Sequence, residues 1–375
     1  MDFTLTEEQT AVRDLAAQIL SERSTPERVR EVEADPSGEW FDRALWSELA
    51  KADLLGLCLP EAQGGGGYGL FELSLILEQV GRNVAPVPLY ATIALGALPL
   101  ANFGTDEQKS AWLPGVAAGD VVLTAALSEG GDGLPPAVPT TEASPSEAGW
   151  TITGTKMLVP AAHLAQRVLV SARTGDGTST VFLVDPGAAG VSAERNTSSN
   201  LEPLTTLTFD GVAVGADDVV GEVDGGAAVT EWITDRAIAA LCATQAGVCE
   251  AALRITATYT SERRQFGSPI ATFQAVAHRA ADAYIDTEAI RLTAHQAAWR
   301  LDAGMPASEE LAIAKFWASD AAHRVTHAAQ HLHGGIGVDV DYPVHRTFRW
   351  ARHLDLSLGG PTAHLRRLGR LLATA

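Results

Sequence analysis

Near the start of the chain, apolar residues recur at Val12, Leu15, Ala16, Ile19 and Leu20. That spacing predicts an amphipathic helix. Thr6-Glu-Glu-Gln9 stands just before it and has the form of a capping box, with Thr6 as the cap and Gln9 reaching back. A second helical stripe is formed by Phe41, Leu45, Trp46, Leu49 and Ala50, and a third runs from Leu70 to Val80, ending near Gly81. Between them lies Leu59-Pro-Glu-Ala-Gln-Gly-Gly-Gly-Gly-Tyr-Gly69. It lacks the Gly-Lys-Ser/Thr ending of a phosphate-binding loop and reads as a connection where backbones approach closely.

After about residue 120 the period changes. Val121–Leu127, Trp150–Gly154, Arg167–Ser171, Thr180–Val184 and Leu204–Phe209 are short, β-branched runs separated by Gly, Pro, Asp and Asn. They predict a compact all-β region. Pro135 to Ser146, rich in Pro, Ser, Thr and Ala, reads as a loop. From about residue 224 helical patterning returns in Ala227–Arg264, Ser268–Ala303, Ser308–His333 and Thr362–Ala373. Their apolar stripes are wide enough for a helix bundle. The expected domains are therefore 1–119, 120–223 and 224–375, and no internal repeat is visible.

Composition narrows the function. A chain of 375 residues with 46% hydrophobic content is large enough for two or three packed domains. A formal charge of −19 disfavours nucleic acid and anionic membranes as partners. Cys58, Cys242 and Cys249 form no C-x-x-C pair, which speaks against a zinc ribbon and a disulfide framework. The polar N-terminus has no signal-peptide pattern, and no bilayer-spanning run is expected. A cytoplasmic location fits these features.

His323, His327 and His331 fall on one helix face but lack the glutamate of a His-Glu-x-x-His zinc site. Hydrogen-bonded or solvated histidines are the preferred reading, with no metal expected. No G-x-S-x-G elbow is present. Gly334-Gly335-Ile336-Gly337 follows a helix rather than a strand, so it suits a helix cap rather than a Rossmann turn. Arg263-Arg264-Gln265-Phe266-Gly267-Ser268-Pro269-Ile270 sits at a helix–helix corner. It reads equally as an anionic phosphate clamp or as a basic helix terminus.

Arg263-x-Gln265-Phe266-Gly267-x-Pro269-Ile270 followed by Phe273-Gln274 and His278 closely resembles the signature of the acyl-CoA dehydrogenase family. So does His333-Gly334-Gly335-Ile336-Gly337 followed by Asp341-Tyr342-Pro343-Val344-His345-Arg346. Leu59–Gly65 and Leu77-Glu-Gln-Val-Gly81-Arg82 are similar to the family's first domain. The resemblance spans almost the whole chain. It implies an α+β, mainly α fold with an N-terminal helical domain, a middle β-barrel-like domain and a C-terminal four-helix bundle.

The resemblance further implies FAD shared between two subunits. Arg263, Gln265, Phe266, Gln274, His331, Gly334 and Gly335 match positions on the diphosphate and adenosine side, with His331 standing where glutamine is usual. On the flavin-ring side the chain departs. Ser128-Glu129-Gly130-Gly131-Asp132-Gly133 keeps a hydroxyl at Ser128 but lacks Gly-Ser-Asp. In Gly154-Thr155-Lys156-Met157-Leu158-Val159-Pro160, Leu158 replaces a tryptophan and Pro160 a threonine.

The family's usual glutamate base has no counterpart in Leu356-Ser357-Leu358-Gly359-Gly360-Pro361-Thr362. A minority of members place the base before an arginine on the first long C-terminal helix, where this chain has Asp235-Arg236. Asp235 is the candidate base, with Arg236 positioning it or the substrate; a surface Asp–Arg neighbour pair is the alternative. The losses resemble subunits of heteromeric α2β2 acyl-CoA dehydrogenases of bacterial sterol side-chain degradation. The expected function is FAD-dependent α,β-dehydrogenation of an acyl-CoA, in a homo- or hetero-oligomer, with an electron-transferring flavoprotein as acceptor. A catalytically incomplete partner subunit and a flavin oxidase or monooxygenase are the alternatives.

Overall fold

In the computed structural model, the Thr6 hydroxyl accepts from the Gln9 backbone and the Gln9 side chain accepts from the Thr6 backbone, closing the expected capping box. The structure describes residues 4–131, 133–147 and 149–374; Asp132 and the first three residues therefore lie outside the described residues. Helices α1 (Glu7–Arg23), α2 (Pro26–Glu33), α3 (Arg43–Lys51) and α4 (Leu70–Arg82) are followed by a π-helical segment, Tyr90–Ala97, then α5 (Leu98–Phe103) and α6 (Asp106–Ala117). Next come β1 (Leu123–Ala126), β2 (Glu142–Ser146), β3 (Gly149–Pro160), β4 (Arg167–Gly175), β5 (Thr178–Val184), β6 (Val191–Thr197), β7 (Pro203–Val214) and β8 (Val219–Val220). The long helix α7 (Gly226–Glu262) leads to a small hairpin of β9 (Arg264–Gln265) and β10 (Ser268–Pro269), then to α8 (Gln274–Asp302), α9 (Ser308–His333), α10 (Val344–Leu356) and α11 (Pro361–Thr374).

The chain divides into two units. One holds the residues up to Arg30, Leu70–Ala85, and everything from Ile238 on. Here α4 crosses α7 at very short range. A Cβ on Gly247 would lie 1.8 Å from the Glu78 carbonyl oxygen, and one on Gly81 2.0 Å from that of Thr244. The charged groups at this crossing are satisfied locally: Arg291 on α8 pairs with Glu78 at 2.9 Å and Glu250 at 3.0 Å, and also with Glu288. Lys315 on α9 is buried and donates to the Leu354 and Asp355 carbonyls at 2.8 and 3.0 Å, tying down the end of α10. By length and composition α7 contains a window apolar enough to cross a membrane, contrary to the sequence expectation. However, 78% of that window is buried inside the protein, so its hydrophobicity serves packing.

The other unit comprises Glu31–Gly69 and Pro86–Ala237. Its glycine-rich loop does bring backbones together: a Cβ on Gly65 would lie 2.1 Å from the Leu59 carbonyl oxygen. The β region is one eight-stranded mixed sheet in the order β6-β7-β3-β2-β4-β5-β8, with β1 pairing parallel to β4. Ile152, Val170, Phe182, Leu207 and Phe209 form its core, with Trp150 packed against them. The barrel-like expectation is corrected to an open sheet, because no pairing joins β6 to β8 among the described residues. β8 has only two residues and β6 is almost wholly exposed, so neither end offers a surface for closure.

Two further expectations change. Glu142–Ser146 is a strand, not a loop, pairing in register from Glu142↔Thr153 to Ser146↔Gly149. Pro145 is tolerated because pairing with β4 is confined to Glu142↔Arg173, leaving the proline on an edge. The helix expected from Ser268 begins only at Gln274, because the chain first forms the β9–β10 hairpin and a 3-10 turn at Ile270–Thr272.

Candidate active and cofactor-binding site

The Arg263–Ile270 corner is a strained, outward-facing hairpin. Gln265 pairs with Ser268, so Phe266 and Gly267 form a two-residue turn. Their φ angles are 52° and 82°, and turns of this kind need φ > 0 at both central positions. For phenylalanine that costs on the order of 1 kcal/mol. The Phe266 ring is nevertheless 95% exposed, so within this chain it recovers little of that cost by burial. The base of the hairpin is fixed: the Arg263 N–H donates to the Tyr259 carbonyl and the Ile270 N–H to the Arg263 carbonyl, both at 2.8 Å. The Arg264 guanidinium donates to the Gly267 carbonyl at 3.1 Å. Arg263, Gln265 and Gln274 are exposed.

The end of α9 meets the same region. His331 is exposed and bonded to Arg279 near the start of α8. His333 stacks on Tyr259 with ring centroids 4.4 Å apart. Gly334 adopts φ 63°, ψ −140°, close to a region that only glycine occupies readily. Both Gly334 and Gly335 are exposed, and a Cβ on either would meet nothing within 4 Å. Thus Arg263, Gln265, Phe266, Gln274, His331, Gly334 and Gly335 converge where the end of α7, the start of α8 and the end of α9 meet. Exposed guanidinium, aromatic and bare backbone groups side by side fit the diphosphate and adenosine end of FAD.

His323 and His327, their ring centroids 4.1 Å apart and their planes tilted by 53°, lie on a groove of about 480 Å³, also lined by Arg279, Asp282, Asp286 and Arg324. Burial, then the neighbouring His323, lowers the His327 pKa. Arg324 holds Asp286 through two bonds of 2.8 Å. The groove's acids and bases are thus partly paired with each other.

Ser128, Asp235 and Arg236 belong to the other unit. Ser128 is half-buried, and its carbonyl accepts from the Met157 N–H at 2.8 Å. The following residue, Glu129, is a structural anchor that sequence reading missed. Its carboxylate accepts from Lys156 Nζ at 2.7 Å, Thr141 N at 2.9 Å, and both the backbone and hydroxyl of Thr140. Lys156 also donates to Ser171 at 3.0 Å. Burial would raise the Glu129 pKa, but hydrogen bonds from Lys156 and Thr141 bring it down to about 2. Burial pulls Lys156 down to about 8 against the attraction of Glu129. The clamp therefore ties the Ser128–Gly131 stretch to the start of β2. Beside it, Leu158 has φ 56° and is exposed, as is Met157. Two outward apolar side chains flanking a hydroxyl-bearing loop fit an apolar ring face.

On α7 the Arg236 guanidinium lies 3.5 Å over the Trp232 ring and donates to the Trp232 carbonyl at 3.4 Å. Trp232 in turn packs edge-on against Phe103. Arg236 is thus held by its own helix, and the adjacent half-buried Asp235 shares that rigid turn. The alternative base position, Leu356–Thr362, turns through Leu358 (φ 52°) and Gly359 (φ 88°). His364 is bonded to the Leu358 carbonyl at 2.8 Å, and the segment bears no carboxylate side chain.

Known proteins share this domain order and this fold. Family models for the acyl-CoA dehydrogenase N-terminal, middle and C-terminal domains match residues 6–120, 124–212 and 224–371. Acyl-CoA dehydrogenase FadE27 of Mycobacterium tuberculosis is 39% identical over 100% of this chain and 99% of its own. A variant of the Tcur3481–Tcur3483 steroid ACAD is 45% identical, with a TM-score of 0.91 over 99% of both chains. The ChsE4–ChsE5 complex from Mycobacterium tuberculosis is 40% identical, with a TM-score of 0.93 over 100% of both chains. With all three family domains matched in order and a relative 39% identical along the whole chain, the chain belongs to the acyl-CoA dehydrogenase family and is an FAD-dependent oxidoreductase acting on acyl-CoA thioesters.

Proposed function

We propose that this chain is one subunit of a hetero-oligomeric acyl-CoA dehydrogenase that acts on an acyl-CoA of steroid catabolism. The observation that carries this reading is Phe266: a strained, 95% exposed aromatic on a fixed hairpin is half of a binding site whose other half lies elsewhere. The likeness to a steroid ACAD and to a two-component complex supports both the substrate class and the second subunit. When bound, FAD supplies a hydride acceptor for the substrate β-carbon. Arg263, Gln265, Phe266, Gln274, His331, Gly334 and Gly335 would hold its diphosphate and adenosine end, and Ser128 would offer a hydroxyl on the ring side. An electron-transferring flavoprotein would be the electron acceptor.

In this reading Asp235 takes the α-proton. A carboxylate at the substrate is a suitable base once substrate excludes water and raises its affinity for protons. Arg236, locked on Trp232, fixes the helical turn that carries it. Asp235→Asn in the assembled enzyme is expected to reduce kcat by about 100-fold or more while the flavin content stays unchanged. Full activity in that variant would favour a second reading, in which this chain is catalytically incomplete and the other subunit supplies the base. That reading draws on the acid-free Leu356–Thr362 turn and on Leu158 and Pro160 in place of the usual ring-side residues.

A further inference from the structure

We propose that Tyr259, His333 and Tyr342 form a positioning brace that fixes the Gly334–Gly335 backbone for the nucleotide end of FAD. The inference rests on the reading that this backbone faces that end of the cofactor, and it assigns roles to three side chains outside the set that holds FAD.

His333 is the last residue of α9 and is buried, while the two glycines after it are exposed. Its Nδ1 lies 2.8 Å from the Ala329 carbonyl oxygen. A carbonyl only accepts, so Nδ1 carries the proton, and the neutral ring then presents Nε2 as a bare acceptor. The Tyr342 hydroxyl lies 3.2 Å from Nε2 and is its donor. Burial lowers the His333 pKa, opposed by the bond to Ala329, so the neutral form with this proton arrangement is the one the fold favours.

The brace works on the backbone from both sides. The Tyr259 ring lies flat against the imidazole, and its hydroxyl donates to the His333 carbonyl at 3.4 Å. The Tyr259 carbonyl accepts from Arg263, so the same helical turn anchors the Phe266 hairpin. The Tyr342 ring completes the cluster, 5.2 Å from His333 and 6.2 Å from Tyr259. The loop folds back tightly enough that a Cβ on Gly337 would lie 3.2 Å from His333 Cβ. Its far end is held where Arg30 donates to the Asp341 carbonyl at 3.1 Å. An apolar residue at 333 would fill the same space. Only an imidazole links the helix end to Tyr342 through both ring nitrogens, and this fixes the peptide that leads into Gly334.

The test uses the flavin-free assembled enzyme, titrated with FAD by flavin fluorescence, with ADP as a competitor for the nucleotide end. Tyr342→Phe keeps the ring and removes the donor. It is expected to weaken FAD and ADP alike by about fivefold, the worth of one neutral hydrogen bond. Gly335→Ala is the control for the underlying reading: its Cβ meets nothing in the protein, so it perturbs only what binds there. If Gly335→Ala weakens FAD and ADP while Tyr342→Phe changes neither by twofold, the brace is overturned and the reading stands. If Gly335→Ala also changes neither, the reading falls and the brace with it. Nitrogen-15 NMR of histidine-labelled wild-type enzyme needs no variant: a protonated Nδ1 and bare Nε2 on His333 support the brace, and the opposite tautomer overturns it.

Discussion

Replacing Glu129 with glutamine is expected to destabilise the protein by about 3 kcal/mol, and the reason is local. The Glu129 and Lys156 side chains are 5% and 0% exposed, with 2.7 Å between the charged atoms. Lowering the carboxyl from its ordinary 4.5 to about 2 corresponds to about 3 kcal/mol of preference for the ionised, folded form. Glutamine keeps the shape but brings an N–H group to a site where Lys156, Thr140 and Thr141 all donate. It also leaves the buried Lys156 ammonium, which donates to Ser171 at 3.0 Å, without its counter-charge, and breaking one side of a buried pair costs about 3–5 kcal/mol. Lys156→Met removes the other charge, and combining it with Glu129→Gln is expected to recover more than half of the Glu129→Gln loss. Urea unfolding followed by tryptophan fluorescence measures all three variants. The acid dependence gives a second check. The Glu129 carboxyl is depressed in the folded state, so its contribution is complete above about pH 4.5 and is lost as pH falls towards 2. The gap between wild type and Glu129→Gln should therefore narrow across that window. A loss below 1 kcal/mol at pH 7, or a gap that stays constant with acid, would refute the reasoning.

Phe266→Gly relieves the left-handed strain at φ 52° and is expected to leave thermal stability unchanged or slightly raised, because the lost ring is almost fully exposed. The same change should weaken FAD binding in the assembly, read by fluorescence titration. Gly247→Ala places a methyl 1.8 Å from the Glu78 carbonyl oxygen; forcing α4 and α7 apart should cost about 3 kcal/mol or more and lower the soluble yield. Lys315→Met leaves the Leu354 and Asp355 carbonyls without their ammonium donor. Burial holds Lys315 down to about 8, so its favourable contribution is greatest above its unfolded value near 10.5 and fades as pH falls through 8. Relative to Lys315→Met, the wild type should accordingly gain stability as pH rises from 8 to 10 in parallel unfolding curves.

Helix periodicity and capping chemistry made α1, α4, α7 and α9 legible, because those signals act within a few residues of each other. Thr6 and Gln9 are the clearest case. The strand Glu142–Ser146 was not legible: its composition is that of a loop, and only the antiparallel partner β3, which follows it in the chain, makes it extended. Barrel closure was likewise a long-range property that composition cannot report. The Arg263–Ile270 and His331–Gly335 motifs, far apart in the chain, come together on one exposed surface. The strain at Phe266 is visible only in its backbone angle. Glu129 and Lys156 lie 27 residues apart, and nothing in the local pattern of either pairs them. A charged residue inside an otherwise sheet-forming run was the available signal for Lys156. Tyr342 stood within the Asp341–Arg346 motif and Tyr259 in none, and neither sequence context shows the part played through the ring of His333 between them.

The most direct test of the proposed split assembly is FAD per chain, by absorbance, together with oligomeric mass by light scattering. Both are measured for the chain expressed alone and with an acyl-CoA dehydrogenase-type partner encoded beside it. The account predicts little flavin and negligible turnover for the chain alone, and a yellow, active hetero-oligomer with fewer flavins than chains when the two are together. A homo-oligomer of this chain alone, with one FAD per chain and full turnover, would contradict it.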